Sequence, residues 1–445
     1  MLLIFVPKMT NRLGYTLDVV MRTFIQTKFA ITTDADKFRH YDGYRLCYDT
    51  QPLTDEKGES LPCVFIKSAN LLFETSIAFQ KCSFFHHEGT PAIFPTLSSR
   101  SALPFDPFCA IFYMLSRYEE YLPHLKDKHG RFLPIDSIAY KHNFLQTAVV
   151  DRWAIMVREA IVKQYPDFSF EPRQYQFEQT IDIDSAYCYL HKGGFRTLLG
   201  IIRDGLHRHN PQEVRRRLKV ITNKQPDPFD TFDYIIKTSQ ELARHSKILF
   251  FALLGDYSNY DKPISYRNSA FQHLLRHIGD YARMGIHGSY HSSKSPQIIG
   301  KEIGRLSNTL HRPIIRNRYH FLRFELPDAY TNLLTQGIQH DYSMGYATLP
   351  GFRCGTTTAV HFFDLCNNHE TDLTVHPFAT MDTTFHTHMR LTPEEAKKQY
   401  HAIVDEVRKV NGTFSCIFHN QNLCEDFGWE GWRDVYEDLL KYASQ

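Results

Sequence analysis

The residues Thr180-Ile181-Asp182-Ile183-Asp184 end an apolar run that begins at Phe177. Alternate residues of a strand point to opposite faces, so the two aspartates share one face and the two isoleucines share the other. If the isoleucines pack against helices, the two carboxylates lie side by side in an interior, where a metal or an arginine must compensate their charge. The competing interpretation is that Asp184 caps a following helix, because an Asp-x-Asp pair alone is a weak signal.

From Phe177 onward, short apolar segments alternate with helical patterns. The predicted strands are Phe177–Ile183, Ile248–Leu254, Met284–Ile286, His320–Phe324, Leu373–Val375 and Thr413–Phe418. The predicted helices cover residues 269–283, 298–310, 327–336, 393–410 and 433–443. This alternation predicts βαβ units in a parallel sheet or barrel, with the functional residues at the carboxyl ends of the strands. A helical insert at about 190–245 separates the first two strands.

The first part of the chain has a different pattern. Short strand-like runs are followed by two helical patterns, at Asp106–Tyr121 and Asp151–Gln164, and then by Pro166 and Pro172. No catalytic motif occurs here, and its aromatic residues are typical of a core. We therefore predict a smaller α+β domain of unknown role over residues 1–172 and a second domain over residues 173–445.

Composition excludes several classes of protein. The 445 residues include 51 Lys and Arg against 49 Asp and Glu, so the net charge of +2 argues against a dedicated nucleic-acid binder. No apolar run is long enough for a transmembrane helix, and Leu2–Val6 is too short for a secretory signal. The nine cysteines include no CxxC pair, which indicates reduced thiols rather than a disulfide framework. These features predict a cytoplasmic protein.

Histidines provide the other candidate site residues. His287 and His291 are four apart in Gly285-Ile286-His287-Gly288-Ser289-Tyr290-His291, a spacing that lets two rings on a helical turn hold one metal ion. With Asp184 they make a shell of two histidines and one carboxylate, which leaves a position for water or substrate. The competing interpretation is a pair of surface histidines.

Two further polar residues end apolar runs. His419 follows Thr413–Phe418, and Arg323 ends the run that starts at His320. Arg323 is interpreted as a partner for Asp182, and the competing interpretation is a solvated side chain. For His419 the competing interpretation is a hydrogen-bonded loop histidine. The motifs GxxxxGK[ST], GxGxxG, GxSxG and HExxH are absent, which removes the usual support for kinases, dinucleotide oxidoreductases and serine hydrolases.

In this order, the motifs over residues 175–440 resemble those of the polysaccharide deacetylases, the NodB-homology carbohydrate esterases. The similar stretches are Thr180–Asp184 for TFDDG, His287–His291 for H[ST]xxH, Arg323–Pro327 for RxP[YF] and Ile417–His419 for LxH. The glycine of the first motif is missing, and its second aspartate lies one residue later. Further stretches resemble a long Bacteroidetes subgroup with an uncharacterised N-terminal domain: Pro7–Arg12, Ser116–Tyr121, Asp341–Tyr346 and Pro350–Thr356.

The resemblance implies a distorted (β/α) barrel of NodB-homology type that removes N-acetyl groups from an amino sugar of a surface glycan or its precursor. Zn, or another divalent metal such as Co, Ni or Mn, is then held by Asp184, His287 and His291. The implied catalytic residues are Asp182 as the base, His419 as the acid, Arg323 to orient Asp182 and Asp382 to orient His419. The alternatives are a hydrolase of another amide or cyclic imide on the same site, and a non-catalytic glycan-assembly protein.

The insert suggests a location for the protein. Nine basic residues accompany only Asp204 and Glu213 between His191 and Lys224: Lys192, Arg196, Arg203, Arg208, Arg215, Arg216, Arg217, Lys219 and Lys224. Apolar residues recur here at helical spacing: Leu198, Leu199, Ile202 and Leu206. A basic amphipathic helix can lie on an anionic membrane, which would make the protein peripheral to the inner membrane. The commoner arrangement is a helix that packs on the barrel and leaves its basic face in water.

Overall fold

The computed structural model describes residues 1–207 and 209–445, which form two compact units. Unit 1 comprises Met1–Gln176, Gly351–Pro377 and Asp405–Thr413. Unit 2 comprises Phe177–Pro350, Phe378–Val404 and Phe414–Gln445. No helix in the described part of the chain is both long and apolar enough to cross a membrane.

The elements follow one another along the chain. The first group is β1 (Leu2–Phe5), α1 (Asn11–Asp18), β2 (Phe29–Thr32), α2 (Ala35–Arg39), β3 (Tyr44–Asp49), β4 (Val64–Lys67), β5 (Phe85–His87), β6 (Thr90–Ala92), α3 (Pro107–Leu115), α4 (Ile138–Lys141) and α5 (Val149–Gln164). The second group is β7 (Gln176–Ile183), α6 (Gly194–Ile202), α7 (Pro211–Ile221), α8 (Phe232–Leu242), β8 (Lys247–Ala252), α9 (Ser269–Tyr281), β9 (Arg283–Gly288), α10 (Pro296–Leu310), β10 (Arg316–Tyr319), α11 (Asp328–Thr335) and β11 (His340–Asp341). The last group is β12 (Val360–Asp364), β13 (His369–Val375), β14 (Thr380–Met381), α12 (Pro393–Lys409), β15 (Thr413–His419) and α13 (Trp432–Ala443).

Unit 1 is built on a parallel sheet with the order β2-β1-β3-β4. Its central strand β1 is buried along its whole length, because all four residues are large and apolar. Alternate residues of the strands, such as Leu3, Phe5 and Cys47, form a core with Phe38 and Phe65. The Asp106 side chain caps α3 by accepting the backbone N–H of Cys109 at 3.0 Å.

The predicted division at residues 172–173 lies close to the first boundary, between Gln176 and Phe177, but two later segments also belong to unit 1. One of these segments contains the antiparallel hairpin β12–β13, whose second strand the sequence analysis assigned to the second domain. The ring of Phe363 in this hairpin lies 5.1 Å from the rings of both Tyr15 and Phe112. This long-range aromatic packing explains why the hairpin belongs to unit 1.

In unit 2 the strands follow the order β11-β10-β9-β8-β7-β15-β14. The pairs from β7 to β11 run parallel, as does the pair of β14 and β15. The fold of this unit is therefore α/β, as predicted. The strand predicted at His320–Phe324 lies instead at Arg316–Tyr319.

The sheet of unit 2 curves but does not close. Strands β7 and β10 are separated by two strands, which in a flat sheet would put them about 14 Å apart. Nevertheless Nη1 of Arg318 on β10 lies only 2.8 Å from Oδ1 of Asp182 on β7. No pairing joins β11 to β14 among the described residues, so the predicted barrel is open. Each of these two strands has only two residues, which is too short to form a continuous ladder.

The helical insert lies between β7 and β8 and consists of α6, a π-helical segment Arg203–His207, α7 and α8. Arg208, one of its nine predicted basic residues, lies outside the described residues.

Candidate active site

Three possible metal ligands meet where strands of unit 2 end. Asp184 follows β7, His287 is the second-last residue of β9, and His320 follows β10. One ligand atom from each lies within 4.8 Å of the others. Because the carboxyl ends of parallel strands meet at one edge, residues far apart in sequence converge here.

The carboxylate of Asp184 is the centre of this group. Its Oδ1 lies 3.2 Å from Nε2 of His287 and 3.6 Å from Nε2 of His320. Oδ1 is buried, and no group in the described part of the chain makes a hydrogen bond to it. The other oxygen, Oδ2, accepts a hydrogen bond from Nε2 of Gln421 at 3.1 Å. A buried carboxylate oxygen that faces two ring nitrogens without a hydrogen bond is suited to a cation.

Both histidine rings are fixed through their other nitrogen. Nδ1 of His287 donates to the backbone carbonyl of Arg318 at 2.9 Å. Nδ1 of His320 donates to Asp261 at 2.8 Å, and Asp261 also accepts the backbone N–H of Tyr290 at 3.0 Å. A carbonyl or carboxylate partner on Nδ1 directs the Nε2 lone pair of a neutral ring toward a metal, which is how metal-binding histidines are usually held. The residues present therefore fit a divalent cation.

The electrostatics of the group favour positive charge. Burial opposes ionisation of Asp184, but His320 and His419 hold the pKa of its carboxyl well below the usual range. Burial also lowers the pKa of His320, yet Asp184 and Asp261 outweigh it and raise this pKa to about 9. The site thus stabilises a cation beside Asp184.

Among the described residues, the structure groups Asp184 and His287 with His320 rather than with the predicted His291. The predicted pairing of His287 with His291 assumed one helical turn. His287 instead lies in the extended strand β9, and the chain leaves that strand after Gly288. The side chain of His291 is exposed beside the ring of Tyr290.

The arginine that pairs with Asp182 is Arg318, not the predicted Arg323. Nη1 of Arg318 donates to Oδ1 of Asp182 at 2.8 Å and to the hydroxyl of Thr180 at 2.7 Å, and both members of the ion pair are buried. Oδ2 of Asp182 lies 3.7 Å from Nε2 of His287. Arg323 donates to the carbonyl of Tyr290 at 2.8 Å and lies over the Tyr290 ring. The prediction placed Arg323 at the end of a strand, but β10 ends four residues earlier, at Tyr319.

His419 and Asp382 lie together, as predicted. Oδ1 of Asp382 accepts Nδ1–H of His419 at 2.8 Å, and Oδ2 accepts the backbone N–H of His419 and the amide of Asn422, both at 2.9 Å. Nε2 of His419 lies 3.8 Å from Oδ2 of Asp184. Burial lowers the pKa of His419, but Asp382 and Asp184 outweigh this effect and raise it to about 10.

Three residues of the site were missed: His320, Arg318 and Asp261. A usable signal was present, because Arg318-Tyr319-His320 repeats the alternation of Asp182-Ile183-Asp184. The arginine faces the first aspartate of that stretch and the histidine faces the second. Asp261 had no such signal, since it lies in the loop after β8.

Comparison with known proteins gives limited similarity. A family model described as a family of unknown function, DUF7033, matches residues 2–166. No curated protein matches the chain.

Several solved structures are similar to the chain at low identity. A protein described as a polysaccharide deacetylase from Mycobacterium smegmatis is 12% identical with a TM-score of 0.38, covering 62% of this chain and 88% of its own. A protein of the same description from Pseudomonas aeruginosa is 9% identical with a TM-score of 0.35, covering 61% and 85%. A CE4 family pseudoenzyme from Bacillus anthracis is 9% identical with a TM-score of 0.30, covering 62% and 66%. These values are too low to transfer an activity to this chain.

Proposed function

We propose that this protein is a metal-dependent hydrolase that removes N-acetyl groups from an amino sugar of a surface glycan or its cytoplasmic precursor. One observation carries the proposal: the buried Oδ1 of Asp184, which has no hydrogen bond among the described residues, faces Nε2 of both His287 and His320. A carboxylate and an imidazole, Asp182 and His419, each lie within 4 Å of this group.

Asp184, His287 and His320 would hold the metal. One carboxylate and two imidazoles suit Zn, and also Co, Ni or Mn. When bound, such an ion supplies a Lewis acid that polarises a carbonyl and lowers the pKa of a coordinated water. The ligand set leaves a position for water or substrate, which is typical of a catalytic site.

In this proposal Asp182 acts as the base. Arg318 fixes Oδ1, so the carboxylate cannot rotate freely, and Oδ2 remains directed toward His287. A carboxylate held in this way can accept a proton at Oδ2 from the water that attacks the N-acetyl carbonyl. Burial of the ion pair keeps this geometry, because moving either charge would leave the other uncompensated.

In this proposal His419 acts as the acid. Its Nδ1 is held by Asp382, so Nε2 is the nitrogen that faces Asp184. A proton at Nε2 can pass to the amine nitrogen as the amide C–N bond breaks. The oxygen of the water is then retained in acetate. The proton that Asp182 accepts from the water is balanced by the proton that His419 delivers to the free amino sugar.

The proposal is tested by acetate release from a panel of free, nucleotide-linked and lipid-linked N-acetylhexosamines, with metal-loaded protein. Asp182→Asn should retain the metal and lose roughly 10²-fold or more in kcat. The matched control is Asp280→Asn, which changes an exposed carboxylate on α9 and should leave kcat unchanged within about twofold.

The other outcomes separate the alternatives. Full activity in Asp182→Asn would mean that another group is the base. No acetate from any sugar, together with turnover of a cyclic imide or another amide, would indicate the second hydrolase class. No turnover of any compound and no bound metal would indicate a non-catalytic glycan-assembly protein.

A further inference from the structure

A cavity of about 420 Å³ lies in unit 2 beside the helical insert. Its walls come from the loop after β7, from α6 and α7, and from the loop after β8. Five basic residues line it against one acidic residue, Glu213: Lys192, Arg196, Arg203, Arg217 and Lys262. A cavity of this size is in the range of small-molecule sites.

Carboxylates compensate only part of this charge. Asp204 pairs with both Arg203 and Arg217, and Glu213 accepts the hydroxyl of Tyr189 at 2.6 Å. In the described part of the chain, no carboxylate is within ion-pair distance of the remaining three cations: Lys192, Arg196 and Lys262. Burial is the main cause that lowers the pKa of Lys192; Arg196 acts in the same direction, and Cys188 and Asp227 act against it.

Arg196 is held in a defined position at this cavity. Its Nη1 donates to the carbonyl of Pro263 at 3.1 Å, and its guanidinium lies 4.5 Å from the centre of the Tyr257 ring. These contacts fix the side chain but leave its charge uncompensated. Three cations that share a cavity and form no ion pair with a carboxylate in the described part of the chain are suited to an anion with several oxygens.

We propose that this cavity binds the phosphate or diphosphate of the substrate. The proposal rests on the proposed function, because the cavity shares two loops with the candidate active site. The loop with Cys188 and Tyr189 follows Asp184, and Lys262 follows Asp261, which holds His320. The substrate is therefore an amino sugar joined to a phosphate ester, either of a nucleotide or of a lipid.

The test measures binding of inorganic pyrophosphate to chelator-treated protein by calorimetry, so that neither metal nor turnover contributes. Lys192→Gln/Arg196→Gln should weaken binding by roughly tenfold or more. The control Lys398→Gln/Arg244→Gln removes the same charges from exposed positions of unit 2 and should leave the affinity within about twofold of wild type. Equal affinity in both variants would overturn the proposal, as would no binding to wild type.

Two further probes identify the source of the phosphate. Tighter binding of uridine diphosphate than of pyrophosphate would favour a nucleotide-linked sugar, and tighter binding of a short polyprenyl diphosphate would favour a lipid-linked one. Because binding is read without turnover, a protein that binds these probes but hydrolyses no amide would disprove the proposed function and not the anion site.

A separate feature of the insert is an apolar row on α6 and the segment after it. Its members are spaced as one helical face and are exposed: Phe195 (75%), Leu198, Leu199, Ile202 and Leu206 (69%). No residue of α6 is buried. The expectation that this helix packs its apolar face on the sheet is therefore wrong.

Basic side chains surround this row. α7 and the residues after it contribute three exposed cations, Arg215, Lys219 and Lys224, whereas Arg216 pairs with Asp426. Of the two acidic residues between His191 and Lys224, Asp204 is buried in its ion pairs. An exposed apolar face flanked by cations matches the interface of an anionic bilayer, which offers both hydrocarbon and negative headgroups.

We infer that α6 and α7 dock the protein on an anionic membrane surface. The test is flotation with vesicles of phosphatidylcholine alone or mixed with phosphatidylglycerol. Wild type should bind only the mixed vesicles, and about 0.5 M salt should release it. Phe195→Ser/Leu206→Ser should weaken binding by roughly tenfold or more. The control Phe79→Ser/Leu97→Ser alters two equally exposed apolar residues of unit 1 and should bind like wild type.

Three results would overturn this inference. Binding that ignores lipid charge and salt would exclude the electrostatic contribution. An equal loss of vesicle binding in Phe79→Ser/Leu97→Ser would show that the apolar row of α6 does not contact the membrane. Self-association through the row, seen by light scattering without vesicles and lost in Phe195→Ser/Leu206→Ser, would identify a second copy of the chain as its partner.

Discussion

Replacing Arg318 by Met tests how the site holds its candidate base. The guanidinium is fully buried, donates to Asp182 and to Thr180, donates from Nε to the carbonyl of Tyr342 at 2.9 Å, and lies over the ring of Phe251. Removing one partner of such a pair leaves an uncompensated buried carboxylate, which costs about 3–5 kcal/mol of unfolding free energy. Met fills a similar volume, so most of this loss comes from the stranded charge and the lost hydrogen bonds.

A double-mutant cycle separates that charge from lost packing. Asp182→Asn removes the charge, so Arg318→Met should destabilise the Asn variant by at least about 1–2 kcal/mol less than it destabilises wild type. The protein has two units, so the free energies should be read by hydrogen exchange in peptides covering β7 and β10, with metal removed. The matched control is Arg323→Met, which removes the hydrogen bond to the Tyr290 carbonyl, and its coupling to Asp182 should be under about 0.5 kcal/mol. Additive effects for Arg318, or equal coupling for Arg323, would refute the assignment.

Three further predictions concern other groups. Arg353 and Arg117 outweigh burial and lower the pKa of Glu120 from 4.5 to about 2, so Glu120→Gln should cost about 3 kcal/mol of unit 1 stability at neutral pH. In urea titrations the difference in stability between this variant and wild type should vanish as pH falls from 4.5 toward 2. A difference that stays constant over this pH range would contradict the prediction. Burial raises the pKa of Glu302 to about 7, so wild type should lose stability as pH rises from 4.5 through 7, and the thermal midpoint of Glu302→Gln should lack that slope. Asp382→Asn should retain metal and lose roughly 10²-fold or more in kcat, whereas an unchanged kcat would remove Asp382 from the site.

Alternation within β7 was enough to predict that Asp182 and Asp184 share a face, because that inference needs only the geometry of a single strand. The apolar run before His419 likewise predicted where β15 ends. Both signals are local to one strand. Because the carboxyl ends of parallel strands meet at one edge of the sheet, the polar residues that end β7 and β15 then come together.

Strand β10 was misplaced because its sequence, Arg316-Asn317-Arg318-Tyr319, does not look like a buried strand. Burial of Arg318 depends on Asp182, and burial of Asn317 depends on Asp341, to which its amide donates at 2.8 Å. Both partners are distant in sequence. Polar residues whose burial requires a particular tertiary partner carry no hydrophobic period, so pattern alone could not identify this strand.

His291 was predicted in place of His320 for a related reason, because the ends of the strands were not known. Spacing indicates a shared face only if the local conformation is known, and the chain here is a strand followed by a turn. The identity of the third ligand therefore depended on where β9 and β10 end. The return of the β12–β13 hairpin to unit 1 also depends on long-range contacts of Phe363.

The central claim is that Asp184, His287 and His320 hold a catalytic metal, and metal content measured by elemental analysis tests it most directly. Wild-type protein loaded with Zn and freed of excess ion should retain about one ion per chain. His320→Ala should lose most of it, and His291→Ala should retain it, with circular dichroism used to show that both variants are folded. A full complement of metal in folded His320→Ala, or its loss in folded His291→Ala, would contradict the account.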